Sequence, residues 1–230
     1  MQPVLSHPWP TNEADAIALQ TAWAPKVVRE DFLGEVRMVA GVDVAYEEGG
    51  ERVYAAVAAL DVATLDVVES AIAVSVARFP YVPGLFSFRE LPPLLDALGQ
   101  LQSVPDLIVC DGQGLAHPRR FGLACHLGVL LDVPTIGCGK TPLIAPGTTL
   151  PDPVDTRRGA TTALIDGGEI VGCALRTQDN VKPLYVSIGH RISLPTACEW
   201  ILKLSPKFRL PETTRMADQL VRRARKAKGS

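Results

Sequence analysis

Asp43 interrupts the otherwise apolar run "MVAGVDVAY" (residues 38–46). Burying a carboxylate without partners costs several kcal/mol. Such a position calls for cations, hydrogen-bond donors or a metal, unless the strand is half-exposed and the acid faces solvent. Asp111 follows "DLIVC" and opens "DGQG". An acid there stands at the C-terminal end of an expected parallel strand, where open α/β sheets bind ligands. Gly112 and Gly114 let the backbone approach a ligand, although a plain turn would use them too. Glu90 closes Ser87-Phe-Arg-Glu90, which reads either as a capping box for the next helix or as a third acid for a site. Lys140 ends "TIGCGK" at another strand end, where it either neutralises developing negative charge or is a surface lysine. In "LAHPRRFGLACH", His117, Arg119 and Arg120 are expected at the start of a helix, whose free N–H groups favour anions, and two arginines there suit phosphate.

Together these residues supply acids from separate elements with basic side chains from neighbouring loops, the layout that metal-assisted phosphoryl transfer needs. Oxygen ligands suit Mg²⁺, which keeps waters in its shell. One of those waters can attack phosphorus while the ion offsets charge on the leaving oxygen. Phosphodiester hydrolysis is the chemistry expected, with Mg²⁺ as cofactor and Mn²⁺ as its substitute.

Periodicity indicates the elements that must position this set. A helix is expected from Thr11 to about Glu30, capped by Thr11 or Asn12, with Glu13 and Asp15 in its first turn. "VRMVAGVDVAY", "VYAAVAALDV" and "VVESAIAVSVA" are rich in β-branched residues and spaced as an antiparallel meander, with "EEGGE" (47–51) as its first turn. From Leu91 helices and strands alternate: "LPPLLDALGQL", "DLIVCD", "RRFGLACHLGVLL", "VPTIGCG". Alternation of this length implies parallel pairing through crossovers, so the sheet is expected to be mixed. A hairpin around Asp166-Gly167-Gly168, a strand "PLYVSIG" and helices "LPTACEWILKL" and "LPETTRMADQLVRRARK" complete the order. The loop 141–159, with prolines at 142, 146, 151 and 153, is the one linker-like stretch and is too short to divide the chain.

With 230 residues, 47% hydrophobic and 21% charged, the chain has ordinary globular composition, which speaks against disordered and fibrous classes. Its apolar runs are broken by charge short of the ~20 residues needed to span a bilayer, and no membrane partner is expected. The first residues lack the pattern of a secretory signal, so a cytoplasmic protein is expected. The five cysteines and four histidines show neither disulfide-framework nor zinc-ligand spacing. Net charge is −2, so bulk charge does not announce a nucleic-acid binder. The final stretch nevertheless gathers Arg215, Arg222, Arg223, Arg225, Lys226 and Lys228, either a solvated helix end or a phosphate site.

"PYVPGLFSFRE" (80–90) mounts an aromatic between two prolines, a few residues from an acid. With "AGVDVAY" (40–46), "DGQGLAHPRRFGLACHLGVLLDVPTIGCGK" (111–140), "ISLPTACEWI" (192–201) and "RLPETTRMAD" (209–218), it resembles the bacterial endonuclease V family, in order and across almost the whole chain. The resemblance implies a ribonuclease H-like α/β fold: a mixed central sheet, antiparallel meander plus parallel strands, flanked by helices on both faces, in one domain over 1–230. It also implies a DNA repair enzyme acting at deoxyinosine and other deaminated bases. Such an enzyme nicks the second phosphodiester on the 3′ side and leaves a 3′-hydroxyl and a 5′-phosphate. Asp43, Glu90 and Asp111 fall on the family's metal-site carboxylates, Lys140 on its active-site lysine, and His117 on the histidine of its Asp-Gly-x-Gly run. Asp218 falls at a further position beside the metal, where members carry Asp or His. By the same resemblance Pro80, Tyr81, Val82, Pro83 and Gly84 form a wedge that enters the base stack, with Arg119 beside it on the DNA. Gly112 and Gly122 belong to the pocket for the extruded base. Gln113 departs from the histidine that several members carry, so no role is transferred to it.

The partner expected is DNA containing deoxyinosine, bound by a monomer. RNA containing inosine is the alternative substrate. A nucleic-acid-binding module without turnover is the other class, and the acid set speaks against it.

Overall fold

The computed structural model describes residues 1–47, 51–143, 148–149 and 154–227. The meander expected from the β-branched runs is present as β1 (Met38–Tyr46), β2 (Arg52–Asp61) and β3 (Val67–Val76), paired antiparallel in that order. Residues 48–50 of its first turn lie outside the described residues. β4 (Leu107–Cys110) and β5 (Thr135–Gly139) continue the sheet in parallel beyond β1. The remaining strands are β6 (Thr148–Thr149), β7 (Thr161–Asp166), β8 (Glu169–Leu175) and β9 (Leu184–His190). The sheet order is β3-β2-β1-β4-β5-β9-β8-β7-β6, a ribonuclease H-like mixed sheet as expected. The β7–β8 turn uses Gly167 and Gly168 at φ 60° and 81°, as a two-residue hairpin turn requires.

β2 shows why both faces must be covered, because Val53 through Leu60 are all buried. Ala55, Val57 and Ala59 pack with Leu91, Leu94 and Ala97 of α2 (Ser87–Gly99). Their alternate neighbours Tyr54 and Ala56 pack with Val221, and Ala58 with Ala217, of α5 (Glu212–Ala227). Period-2 alternation thus directs successive residues to helices on opposite sides. α3 (Leu123–Leu131) lies on the α2 side through Ala124 and Leu127. α4 (Leu194–Lys203) places Ala197 and Ile201 in the same cluster as Ala217.

α5 approaches β1 so closely that a Cβ on Gly41 would lie 2.2 Å from the Thr213 carbonyl carbon and oxygen. That approach brings Asp218 of α5 toward Asp43 of β1.

Three local expectations are corrected. The first helix, α1 (Glu13–Trp23), ends before Glu30, because Pro25 lacks an N–H and the chain turns through a short 3-10 segment at Ala24–Lys26. Its N-cap is Asn12, whose Oδ1 accepts from the Asp15 N–H at 2.9 Å. α2 starts at Ser87 without a capping box: Phe86 is the N-cap residue, and Ser87 Oγ lies 3.2 Å from His126 Nδ1. α3 begins only at Leu123, so His117, Arg119 and Arg120 precede it in a loop rather than opening its first turn. In the linker-like loop, Pro146, Pro151 and Pro153 lie outside the described residues, and Thr148–Thr149 pair with β7. The cysteines are free. Among the described residues no helix is long and apolar enough to cross a membrane.

Candidate active site

Register determines where the acids meet. Val42 of β1 pairs with Cys110 of β4, so the next residues, Asp43 and Asp111, stand side by side where these parallel strands end. The Asp111 N–H donates to the Val42 carbonyl at 3.3 Å, which keeps the two strand ends together. Lys140 follows the last residue of β5 and forms an ion pair with Asp111 Oδ2. Glu90 comes from the first turn of α2, and Asp218 from α5 on the other face.

Burial, and then the charge of Asp111, push the Asp43 carboxyl up to about 7. Burial also drives Glu90 up to about 7, against the bond from Tyr46 and with the Asp111 charge adding to it. Burial alone would lower Lys140, but Asp111, Asp43 and Asp218 hold its ammonium above the ordinary lysine range. Asp43 is half-buried at the partly exposed end of β1, where burial and the Asp111 charge oppose its ionisation.

Among the described residues no three of His, Cys, Asp and Glu are spaced as a finished metal cage. The donor set still fits a hard divalent cation. It consists of carboxylate oxygens from β1, α2 and the end of β4, and burial together with the Asp111 charge opposes ionisation of Asp43 and Glu90.

Beside the acids opens a cavity of about 240 Å³, lined by Gly84, Phe86, Glu90, Asp111, Gly112 and Gly122 among others. Both glycines expected to contact an extruded base are on its wall, together with two of the acids. Gln113 also lines it and donates through Nε2 to the Thr141 carbonyl at 2.9 Å.

The proline-rich stretch forms the rim. The Leu85 N–H donates to the Val82 carbonyl at 3.0 Å, and Gly84 has φ 80°, a turn with Pro83 and Gly84 at its centre that suits a type II geometry. Pro80 and Pro83 are exposed, while Val82 packs down against Ala16, Phe79, Leu85 and Phe88. Tyr81 points outward, 64% exposed, with its ring 4.5 Å from that of Phe86 and 5.9 Å from that of Tyr46.

Both ends of this loop are tied. Arg89 Nη1 donates to the Phe79 carbonyl at 2.7 Å. The Gly84 carbonyl receives Gln20 Nε2 at 3.1 Å, His117 Nε2 at 2.8 Å and Arg119 Nη2 at 2.8 Å. His117 is neutral there: burial lowers it to about 4, and its Nδ1 accepts from the Arg119 N–H at 3.2 Å. Arg119 is thus folded back onto the loop, with Nε also donating to Gln20 Oε1 at 2.5 Å. Arg120, expected to face phosphate, is instead held by Asp166 and Glu169 at 2.7 Å each, because the β7–β8 turn brings both acids to it.

Two participants were not singled out from sequence. Tyr46 donates its hydroxyl to Glu90 Oε1 at 2.6 Å and reads in sequence only as the end of an apolar strand. Gln20 is fully buried, and its surplus polarity within the apolar side of α1 is the one signal that could have marked it.

The family model for endonuclease V matches residues 21–219. An endonuclease V from Nostoc sp. is 51% identical over 221 residues, covering 96% of this chain and 98% of the relative. The crystal structure of endonuclease V from Streptomyces avermitilis has a TM-score of 0.91 at 47% identity, over 100% of both chains. Endonuclease V of Ciona intestinalis, in complex with a 24mer DNA containing an inosine followed by a ribo-adenosine, has a TM-score of 0.83 at 27% identity, over 93% of this chain and 97% of that one. The match runs through every element that carries the site, from β1 to Asp218 of α5, and the chain belongs to the endonuclease V family.

Proposed function

We propose that this nuclease nicks DNA at deoxyinosine and other deaminated bases, cutting the second phosphodiester on the 3′ side and leaving a 3′-hydroxyl and a 5′-phosphate. The observation that carries this reading is the cavity lined together by Gly112, Gly122, Glu90 and Asp111, whose lining residue Phe86 is in ring contact with the exposed Tyr81. A base extruded from the stack enters such a pocket, and its strand then passes the acids.

Asp43, Asp111, Glu90 and Asp218 would hold the divalent ion, Mg²⁺ with Mn²⁺ as substitute. A bound ion of this kind supplies an activated water and offsets charge on the leaving oxygen. Lys140 places its ammonium beside Asp111, where it can meet a non-bridging phosphate oxygen. The Tyr46 hydroxyl orients Glu90 by a bond to Oε1, and among the described residues no other hydrogen bond engages this carboxylate. Tyr81 fills the space that the extruded base leaves, and stacking there offsets part of the unstacking cost. Pro80 and Pro83 limit the freedom that the loop would lose on binding. His117 and Arg119 act here by holding the Gly84 carbonyl, and so the wedge. The Ciona intestinalis relative seen with inosine-containing DNA supports the choice of substrate.

The test is a nicking assay on matched single-inosine DNA and RNA strands, with end analysis of the products. The reading predicts one nick in DNA at the second bond 3′ of inosine, with a 5′-phosphate. Equal or better cutting of the RNA strand, or cleavage at undamaged sites, would overturn it. A monomer in one domain over 1–230 is part of the reading and is checked by light scattering on the purified protein.

A further inference from the structure

The carboxylates of α5 are Glu212 and Asp218, each paired to an arginine of its own helix: Arg215 at 2.5 Å and Arg222 at 2.8 Å. Beyond Asp218 the helix carries Arg222, Arg223, Arg225 and Lys226, all exposed, and no further acid among its described residues. Asp218, Arg222 and Arg225 are spaced four and then three apart, so they form one row on the helix surface. Val221, three residues after Asp218 and four before Arg225, is buried against Tyr54 and Ala56, so the row lies along the edge of the face that packs on the sheet, with Arg222 on its solvent side.

The row has a direction. At one end Asp218 is close enough to act on the charges of Asp43 and Lys140. At the other, Arg225 Nη1 donates to the Tyr46 carbonyl at 3.4 Å, and the Tyr46 ring touches Tyr81. The row therefore runs from the acids to the end of β1, where the Tyr46 side chain meets Tyr81 on the α2 side. From Asp218 to Arg225 the helix rises about 10 Å, close to the axial rise of three nucleotides at about 3.4 Å per step. The Arg222 side chain is 65% exposed, so its guanidinium can meet a partner from solvent without unfolding anything. Helix-dipole complementation explains cations in a last turn, but Arg222 lies more than a turn before the end.

We propose that Arg222 and Arg225 form a phosphate-contacting row that receives the sugar–phosphate backbone of the substrate strand beside the scissile bond, independently of sequence or lesion. The inference rests on the nuclease reading above.

Binding of labelled inosine and undamaged duplexes is measured by fluorescence anisotropy across a salt series, with EDTA present so that no strand is cut. Removing one arginine–phosphate interaction lowers the slope of log affinity against log salt by about 0.9. Arg225→Gln is expected to lower it by about 0.9 and Arg222→Gln/Arg225→Gln by about 1.8, to the same extent on both duplexes. Arg225→Gln leaves the Asp218 pair untouched, and Arg222→Lys/Arg225→Lys should keep the slope. An unchanged slope in Arg225→Gln and the double variant, or a loss confined to the inosine duplex, overturns the row. If wild type nicks at inosine while the slope stays unchanged, the row alone fails. If wild type neither binds nor nicks, the nuclease reading beneath it fails as well.

Discussion

The carboxylate cluster and the Gly84 carbonyl are close neighbours with opposite electrostatic design. At Gly84 three donors converge on one acceptor, more than its lone pairs require. At Asp43 and Glu90 acids are set into the fold with too little positive charge to keep both comfortably ionised. Excess hydrogen bonding fixes geometry, whereas deficient compensation stores affinity for a cation that has yet to arrive. One region is built to hold still and the other to take something up.

The strongest way to break this contrast is to remove an acid. Asp43→Ala should lower single-turnover nicking at inosine by on the order of a thousand-fold, about 4 kcal/mol of barrier, while leaving binding of inosine DNA measurable. Nicking at the wild-type rate would show that the cluster does no chemistry.

Acid pH separates the two regions next. Burial lowers the four histidines, His117 to about 4. The unfolded chain protonates them near pH ~6.5, so their contribution to stability is full above that pH and falls below it, that of His117 being lost toward about 4. His117 alone would account for on the order of 3 kcal/mol. Asp43 and Glu90 work in the other direction. Held up to about 7, they take protons in the fold before the unfolded chain does, so falling pH adds stability from about 7 downward. Chemical denaturation of wild type should therefore show a shallow pH dependence. Asp43→Asn, which lacks one compensating acid, should be the more stable protein near pH ~8 and should lose stability more steeply on acidification. Parallel profiles for the two proteins would remove the basis of the contrast.

A smaller effect concerns Tyr81. Because its ring is mostly exposed, Tyr81→Ala should shift stability by no more than about 0.5 kcal/mol. Preference for inosine over undamaged duplex should fall by about 1–3 kcal/mol, the range for one base–aromatic stack, as read by competition binding. The smallest single effects are expected at the Gly84 carbonyl. His117→Ala and Arg119→Met each leave two donors in place and should raise the KM for inosine DNA by only a few-fold, about 1 kcal/mol, with kcat retained. The double variant should cost more than the sum, and His117→Gln, which keeps a donor, should recover most of the loss. Strict additivity would mean that the donors do not share one task.

Much of the fold was legible in the amino-acid order, because strand alternation and helix periodicity are local properties. Asp43 and Asp111 were placed in one site by the family resemblance, whereas the parallel β1–β4 register that sets them side by side joins residues far apart in the chain. Long-range partners were not legible. Tyr46 and Glu90 are 44 residues apart, and nothing near Tyr46 announces an acid acceptor. Arg120 looked free for phosphate because its partners, Asp166 and Glu169, belong to a hairpin far along the chain. The capping box at Ser87 was plausible by spacing, yet the Ser87 hydroxyl is directed to His126 on α3. α1 was drawn too long because its polar periodicity runs on past Pro25, where the backbone cannot follow.

The account depends on under-compensated carboxylates gathering a divalent ion, and Mn²⁺ binding, followed by the paramagnetic signal of the free ion, tests that without reference to catalysis. Wild type should bind Mn²⁺ saturably and lose it to excess Mg²⁺, and Asp43→Ala and Asp111→Ala should each weaken binding by at least about 10-fold, the lower end of what removing one group around a bound metal costs. Equal binding by wild type and both variants, or none by any, would contradict it.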